Sequence, residues 1–388
     1  MLRVAIVAGE TSGDRLGAGL IHAVHSIEPG VKFFGIAGPA MIAAGCQRWH
    51  DAGDLGVMGL AEVVTHLPRL MRLRRDVSRR IISEQPDVFV GIDVPDFNLS
   101  IATRVHHCDV PTVQYVSPQV WAWRPGRVAK MRDIVDLVLC LFPFEQSFYD
   151  EHGIEAVFVG HPLADEIPVH VDRLAARRDL GLAETDPLVA LLPGSRLAEV
   201  RRLGPDFLAA AGWIRNRRPE VRYVAGLVNA EAEHEFSRAL APTPVAADVT
   251  LVTGRTRDVV TAADVVLLSS GTATLETALI KRPMVVAYRV SPITRWLVER
   301  LRLLRADRYA LPNLLAGRDL VPEIMQDAIT PGKLGAAVLR WFDDEASVVA
   351  LDVEFERIRQ RLRCGASERA ARALLKFAAS AKAARDSA

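Results

Sequence analysis

Leu188-Val189-Ala190-Leu191-Leu192-Pro193-Gly194-Ser195-Arg196 begins with five apolar residues in a row and stops on Pro-Gly. An apolar run without alternation suits a strand buried on both faces, as in a parallel sheet covered by helices. A helical pattern follows it. The same design stands near the start of the chain. Residues 3–8 run into Gly9-Glu10-Thr11-Ser12-Gly13, and then Leu16, Leu20, Ile21 and Val24 share one helical face. Working outward, further strand-like runs lie at 31–36, 88–92, 112–116, 137–142 and 156–159. After Leu192 they recur at 221–227, 250–252, 265–268 and 284–288. Strands alternating with helices predict βαβ units and a mainly parallel sheet. The rhythm pauses at 162–171, a stretch with two prolines and several charges that reads as a linker, and then restarts. Beyond residue 344 only helical patterns remain. The expectation is an α/β protein with two doubly wound domains in tandem, followed by helices.

The bulk numbers fit. A chain of 388 residues suggests two or three domains. With 50% hydrophobic and 24% charged residues it is globular rather than disordered. Lys plus Arg is 48 and Asp plus Glu is 47, so no global field recruits nucleic acid. Cys46, Cys108, Cys140 and Cys364 form no CxxC pair and no zinc-like spacing with His, as expected of reduced thiols in a cytosolic protein. The adjacent His106 and His107 belong to no metal-binding spacing either. The apolar run at 4–8 is too short for a signal-peptide core, and no run approaches a membrane span. A soluble or peripherally attached protein is expected.

In doubly wound sheets, ligands bind outside the carboxyl ends of the strands, so the residues just after each run deserve the closest reading. Gly9 to Asp14 offers small residues and a helix N-terminus to an anion; it reads equally well as a tight turn capped by Ser12 or Asp14. Asp93 directly follows the run at 88–92 and suits a general base for a hydroxyl, while Asp96 reads as a helix N-cap. Gly194 and Ser195 can turn backbone N–H groups toward a phosphate, and Arg196 can bind it in bidentate fashion; the plainer alternative pairs Arg196 with Glu199. Gly271 and Thr272 open another strand-to-helix loop, with Glu276 one turn in, placed to bind a ribose. Its plainer alternative is a capping box, with Thr272 or Ser270 as cap and Glu276 solvated. Together the two loops suggest a nucleotide-diphosphate site without a metal. Two arginine-rich amphipathic stretches, at 66–82 and 291–305, read either as helices lying on an anionic bilayer or as ordinary surface helices. Trp121-Ala122-Trp123-Arg124 would line an acceptor pocket or pack the domain.

These motifs together closely resemble the lipid-A-disaccharide synthases, bacterial glycosyltransferases of GT-B architecture with two facing Rossmann-like domains. The matching stretches lie at 7–14, 87–98, 115–124, 191–196, 270–276 and 311–318, in family order over nearly the whole chain. The resemblance implies an inverting hexosyltransferase that joins UDP-2,3-diacylglucosamine to 2,3-diacylglucosamine 1-phosphate. The products would be a β-1,6-linked lipid A disaccharide 1-phosphate and UDP. Asp93 would be the base for the acceptor 6-hydroxyl. Ser195 and Arg196 would hold the diphosphate, with Gly194 beside them. Gly271 and Thr272 would bind phosphate, and Glu276 the ribose. Ser12, Asn313 and Gln326 are expected at the site without an assigned role. No cofactor and no metal are expected. The resemblance also implies an acceptor-binding domain at 1–165, a UDP-sugar-binding domain at 166–345, and helices at 346–388 that pack back on the first domain. It places the protein peripherally on the inner face of the cytoplasmic membrane, which favours an anionic membrane surface as partner; the oligomeric state stays open. The rival readings are a UDP-N-acetylglucosamine 2-epimerase of similar architecture, which needs no amphipathic helices, and a non-enzymatic nucleotide or lipid binder, which needs no Asp93.

Overall fold

A computed structural model describes residues 1–55, 63–118, 126–290 and 308–386, without the side chains of 63–67, 126–127 and 386. Trp121-Ala122-Trp123-Arg124, the basic stretch at 291–305 and the side chains of His66 and Leu67 lie outside the described residues.

The chain forms two compact units. The first contains β1 (Arg3–Ala8), α1 (Glu10–Ile27), β2 (Lys32–Ala37), α2 (Pro39–Ala43), β3 (Gln47–Asp51), α3 (Val63–Glu84), β4 (Val88–Ile92), α4 (Pro95–His106), β5 (Thr112–Tyr115), α5 (Gly126–Arg132), β6 (Leu137–Cys140), α6 (Pro143–Glu151) and β7 (Ala156–Phe158). Its seven strands are all parallel, in the order β3-β2-β1-β4-β5-β6-β7. Val4 to Ala8 are fully buried because both faces are covered. One face carries Val4, Ile6 and Ala8 into a core with Leu20, Ile21 and Val24 of α1. The other carries Ala5 and Val7 into a core with Val77 and Ile81 of α3.

The chain leaves the first unit within α7 (Pro162–Glu166), where the sequence pauses. The second unit contains α8 (Arg173–Asp179), β8 (Leu188–Leu192), α9 (Leu197–Arg215), β9 (Arg222–Leu227), α10 (Ala230–Leu240), β10 (Val249–Thr253), α11 (Thr256–Ala262), β11 (Val265–Ser269), α12 (Thr272–Leu279), β12 (Met284–Tyr288), α13 (Leu311–Ala316), β13 (Glu323–Met325), α14 (Pro331–Asp343) and α15 (Glu345–Leu362). Its six parallel strands run β10-β9-β8-β11-β12-β13. The last helix, α16 (Ala366–Asp386), belongs to the first unit. Its Ala370, Ala371, Leu374 and Ala378 share the core of Leu20, Ile21 and Val24.

The expected helical block at 346–388 is therefore divided. Residues up to Arg361 belong to the second unit, and those from Leu362 to the first. The buried guanidinium of Arg359, which donates to Ile167 O at 2.8 Å and to Leu279 O, fastens α15 inside the second unit. Asp165 fastens the start of α16 in the first, accepting from Gly365 N at 3.0 Å and Ala366 N at 2.7 Å.

In both sheets the strand order reverses beside the first strand of the unit: between β1 and β4, and between β8 and β11. Such a switch point leaves a crevice at the carboxyl ends of the strands. The loops singled out in the sequence stand at these two places. Among the described residues, no helix is long and apolar enough to cross a membrane.

Candidate functional site

The first switch point is formed by the turns after β1 and β4. At the end of β4 the backbone turns sharply through two residues in the left-handed region, Asp93 with φ 51° and Val94 with φ 38°. For a β-branched residue such as Val94 this conformation is strained. The neighbouring turns share the trait, with φ 61° at Glu10 after β1 and φ 74° at Val116 after β5. Gly9 permits the first two turns to meet, since a Cβ there would stand 2.6 Å from Val94 Cγ2.

The Asp93 main chain is tied at both ends. Its N–H donates to Tyr115 O at 3.0 Å. Its carbonyl accepts from Asn98 Nδ2 at 2.8 Å and from Gln114 Nε2 at 3.4 Å. Burial raises the carboxyl above the ordinary aspartate range, against a smaller opposing effect of the Val94 N–H. A raised carboxylate is a stronger base, which suits proton removal from a hydroxyl.

The expected caps of this unit are corrected. Helix α1 starts at Glu10, so Gly9 is its N-cap and no side chain caps it. Ser12 is exposed within the first turn. Asp14 is buried and caps a different helix: its carboxylate accepts from Gly38 N at 2.9 Å, Ala40 N at 2.9 Å and Met41 N at 3.0 Å, where α2 begins. Asp96 is not the N-cap of α4 either. That position is Val94, and Asp96 lies in the first turn, where the helix dipole favours an acid.

The second switch point combines the loops after β8 and β11. Gly194 has φ 138°. Glu199 Oε2 accepts from Ser195 N at 3.0 Å and from Arg196 N at 3.3 Å. The Arg196 guanidinium, 72% exposed at the side chain, stays 3.8 Å from Glu199. The plainer pairing is thus present, yet it leaves the arginine in solvent, available to an incoming anion. Tyr288 stands near these charges at the end of β12, its phenol raised chiefly by burial and then by Glu199.

On the β11 side, Gly271 is the N-cap of α12 and neither Ser270 nor Thr272 caps it. Thr274 Oγ1 closes the turn by donating to Gly271 O at 2.7 Å. Glu276 is not free in solvent: Arg257 Nε donates to its Oε1 at 2.8 Å.

Asn313 is 1% exposed and spends its amide inside the protein. It donates to Val321 O at 2.9 Å and Glu323 Oε1 at 2.7 Å, and accepts from Leu320 N at 2.8 Å and Val321 N at 3.0 Å. Glu323 in turn accepts from Tyr309 N at 2.9 Å and Ala310 N at 3.1 Å. Ser270 Oγ donates to Tyr309 O at 3.3 Å. Asn313 therefore acts through this network on the loop after β11. Gln326 follows β13 with φ 49°, half-buried, at the carboxyl edge of the same sheet.

Sequence reading missed Asn98, Gln114, Arg257 and Glu323. Asn98 had a visible signal, a lone polar residue in phase with Ile101 and Val105 on the buried stripe of α4. Gln114 likewise interrupts a buried strand. Arg257 and Glu323 carry no local mark. Among the described residues, no three His, Cys, Asp or Glu side chains gather as metal ligands would.

Comparison with known proteins agrees with this layout. The UDP-GlcNAc 2-epimerase of Neisseria meningitidis, solved with UDP-GlcNAc, aligns over 97% of this chain and 99% of its own with a TM-score of 0.64 at 9% identity. MurG of Acinetobacter baumannii aligns over 97% and 100% with a TM-score of 0.55 at 14% identity. These likenesses establish the fold. Sequence carries further. The lipid-A-disaccharide synthase of Alkalilimnicola ehrlichii is 50% identical over 96% of this chain and 98% of its own length. That of Serratia proteamaculans is 46% identical over 97% and 98%. The family described as lipid-A-disaccharide synthetase matches residues 4–377. With that span and that identity, the chain belongs to the lipid-A-disaccharide synthase family of glycosyltransferases.

Proposed function

We propose that this glycosyltransferase of lipid A biosynthesis joins its two acylated sugars in a single inverting displacement, with Asp93 as the base. The donor is UDP-2,3-diacylglucosamine and the acceptor 2,3-diacylglucosamine 1-phosphate. Asp93 takes the proton from the acceptor 6-hydroxyl as that oxygen attacks the anomeric carbon. The bond from this carbon to the diphosphate breaks, UDP leaves, and the new linkage is β-1,6. One observation carries the reading: a carboxyl raised by burial, held on a strained turn at the end of β4.

In the second unit, Arg196 and the amides of Gly194 and Ser195 receive the diphosphate, whose charge the guanidinium balances. Gly271 and Thr272 add the N-terminus of α12, and Glu276 takes the ribose hydroxyls. Ser12 and Gln326 belong to the carboxyl edges of the two sheets, and Asn313 supports the β11 loop from within. No metal takes part in this scheme.

The proposal extends to a peripheral place on the cytoplasmic face of an anionic membrane. Leu70, Val77 and Ile81 of α3 are spent on the core, while Arg69, Arg72, Arg75, Arg79 and Arg80 remain exposed. Such a face attracts acidic lipid electrostatically, and salt weakens the attraction.

The test is turnover of both substrates in detergent with a chelator, following UDP and disaccharide together. Both products appearing in equal amounts is the expected result. Loss of turnover on chelation, restored by metal, would reject the metal-free scheme. UDP release without disaccharide would reject the acceptor.

A further inference from the structure

The carbonyl of Asp93 faces two buried primary amides from different elements. Asn98, on α4, is 0% exposed; its Nδ2 donates to Asp93 O at 2.8 Å and to Ile92 O at 3.1 Å. Gln114, on β5, is 2% exposed. Its Nε2 lies 3.4 Å from Asp93 O, 3.4 Å from Tyr115 O and 3.2 Å from Val116 O. In both cases the surrounding oxygens are carbonyls, so only the donor end of each amide fits there. The space is reserved for these side chains. A Cβ at Gly91 would stand 2.8 Å from Asn98 Cβ and 3.2 Å from Gln114 Oε1.

All four carbonyls belong to strained or directly adjoining positions: Asp93 and Val116 are left-handed, and Ile92 and Tyr115, the last residues of β4 and β5, directly precede them. A left-handed conformation at a residue other than glycine costs about 1–3 kcal/mol and persists only where its surroundings impose it. Two consecutive such residues, with a third just after the next strand, need an external brace. Asn98 and Gln114 supply it without charge. An ammonium or guanidinium in the same place would also hold the carbonyls, but it would pull the nearby carboxyl toward a weaker base. An amide braces the turn and leaves basicity to burial.

We propose that Asn98 and Gln114 are positioning residues that clamp the strained turn after β4, Gln114 by tying that turn to the end of β5, and so fix the direction of the Asp93 carboxylate. The proposal rests on the reading of Asp93 as the base.

The test is steady-state turnover of Gln114→Leu, which keeps side-chain bulk at a buried site and removes the donor. Asn98→Ala and Asp93→Ala are measured beside it, and UDP binding and the thermal midpoint are recorded for all three. For Gln114→Leu we expect kcat to fall about 10- to 100-fold, as a misplacement on the order of 1 Å entails. KM for the UDP-sugar and UDP affinity should stay unchanged. If Asn98→Ala does not fold, Gln114→Leu alone decides. A Gln114→Leu enzyme with kcat within about twofold of the parent, while Asp93→Ala is inactive, would overturn the clamp and leave the base in place. An active Asp93→Ala enzyme would overturn the base, and the clamp with it. An equal loss of kcat and UDP affinity in Gln114→Leu would also overturn the proposal, because it would mark a general loss of structure rather than of the base's direction.

Discussion

The two switch points solve opposite problems. After β4, Asp93 is half-buried on a strained turn, and the groups holding that turn are neutral amides from Asn98 and Gln114. After β8, Arg196 is 72% exposed, and a carboxylate from the same helix, Glu199, occupies the amides of Ser195 and Arg196. A base needs a fixed direction and a poor solvent for its charge. A receptor for a dianion needs mobile positive charge and N–H groups, and a resident carboxylate keeps those groups satisfied until the ligand arrives. One topology therefore yields a half-buried carboxyl braced by neutral amides in the first unit and a solvated guanidinium beside a carboxylate in the second.

Substitutions can break this contrast in order of expected size. Asp93→Ala should lower kcat about 1000-fold while UDP affinity, measured by calorimetry, stays put. An equal fall in UDP affinity would make Asp93 a folding residue. Arg196→Ala should weaken UDP binding about 10- to 100-fold, the worth of a lost charge-assisted bond, with no change in the thermal midpoint because the side chain is exposed. Unaltered affinity would move the diphosphate to other groups. Arg257→Leu removes the ion that orients Glu276; it should weaken UDP about 10-fold yet leave pyrophosphate binding as it was. Equal losses for both ligands would place Arg257 on the phosphates.

The smallest effect concerns pH and sharpens the first half of the contrast. With Asp93 as the proposed base, activity should fall as pH drops through its raised value, above the usual aspartate range. Stability has the opposite sign. The folded protein keeps this proton to higher pH than the unfolded chain does, so the Asp93 contribution declines as pH rises across that window. Asp93→Asn should then be inactive, yet slightly more heat-stable than the parent at neutral pH. A lower midpoint would mean that the carboxylate is stabilised by its surroundings.

The long buried strands were legible because both their faces are covered: β1, β4, β8 and β12 begin and end where their apolar runs do. The edge strands β3 and β13 were not. β3 reads Gln47-Arg48-Trp49-His50-Asp51, mostly polar because one side lacks a neighbour, and β13 is three residues long. Asp93 and Arg196 could be singled out in the sequence because position after a strand limits what a side chain can meet, and Glu276 because it stands one turn into the helix that follows β11. Asn313 was drawn to the site by resemblance, and its fully engaged amide places it behind the β11 loop. The caps were misread because Asp14 reaches 24 residues along the chain to Gly38, a partner no local pattern reveals.

The return of α16 to the first unit has a consequence for biosynthesis. Among the described residues, 166–290 and 308–361 are, in chain order, an insertion within the first unit. The ribosome releases β1 and α1 before the second unit, but the helix that covers Leu20, Ile21 and Val24 is made only after it. At about 5–20 residues per second, that apolar face waits some tens of seconds for its cover. The first unit begins emerging before the second and completes its core after it, so over that interval the apolar face of α1 is open to chaperones and to aggregation.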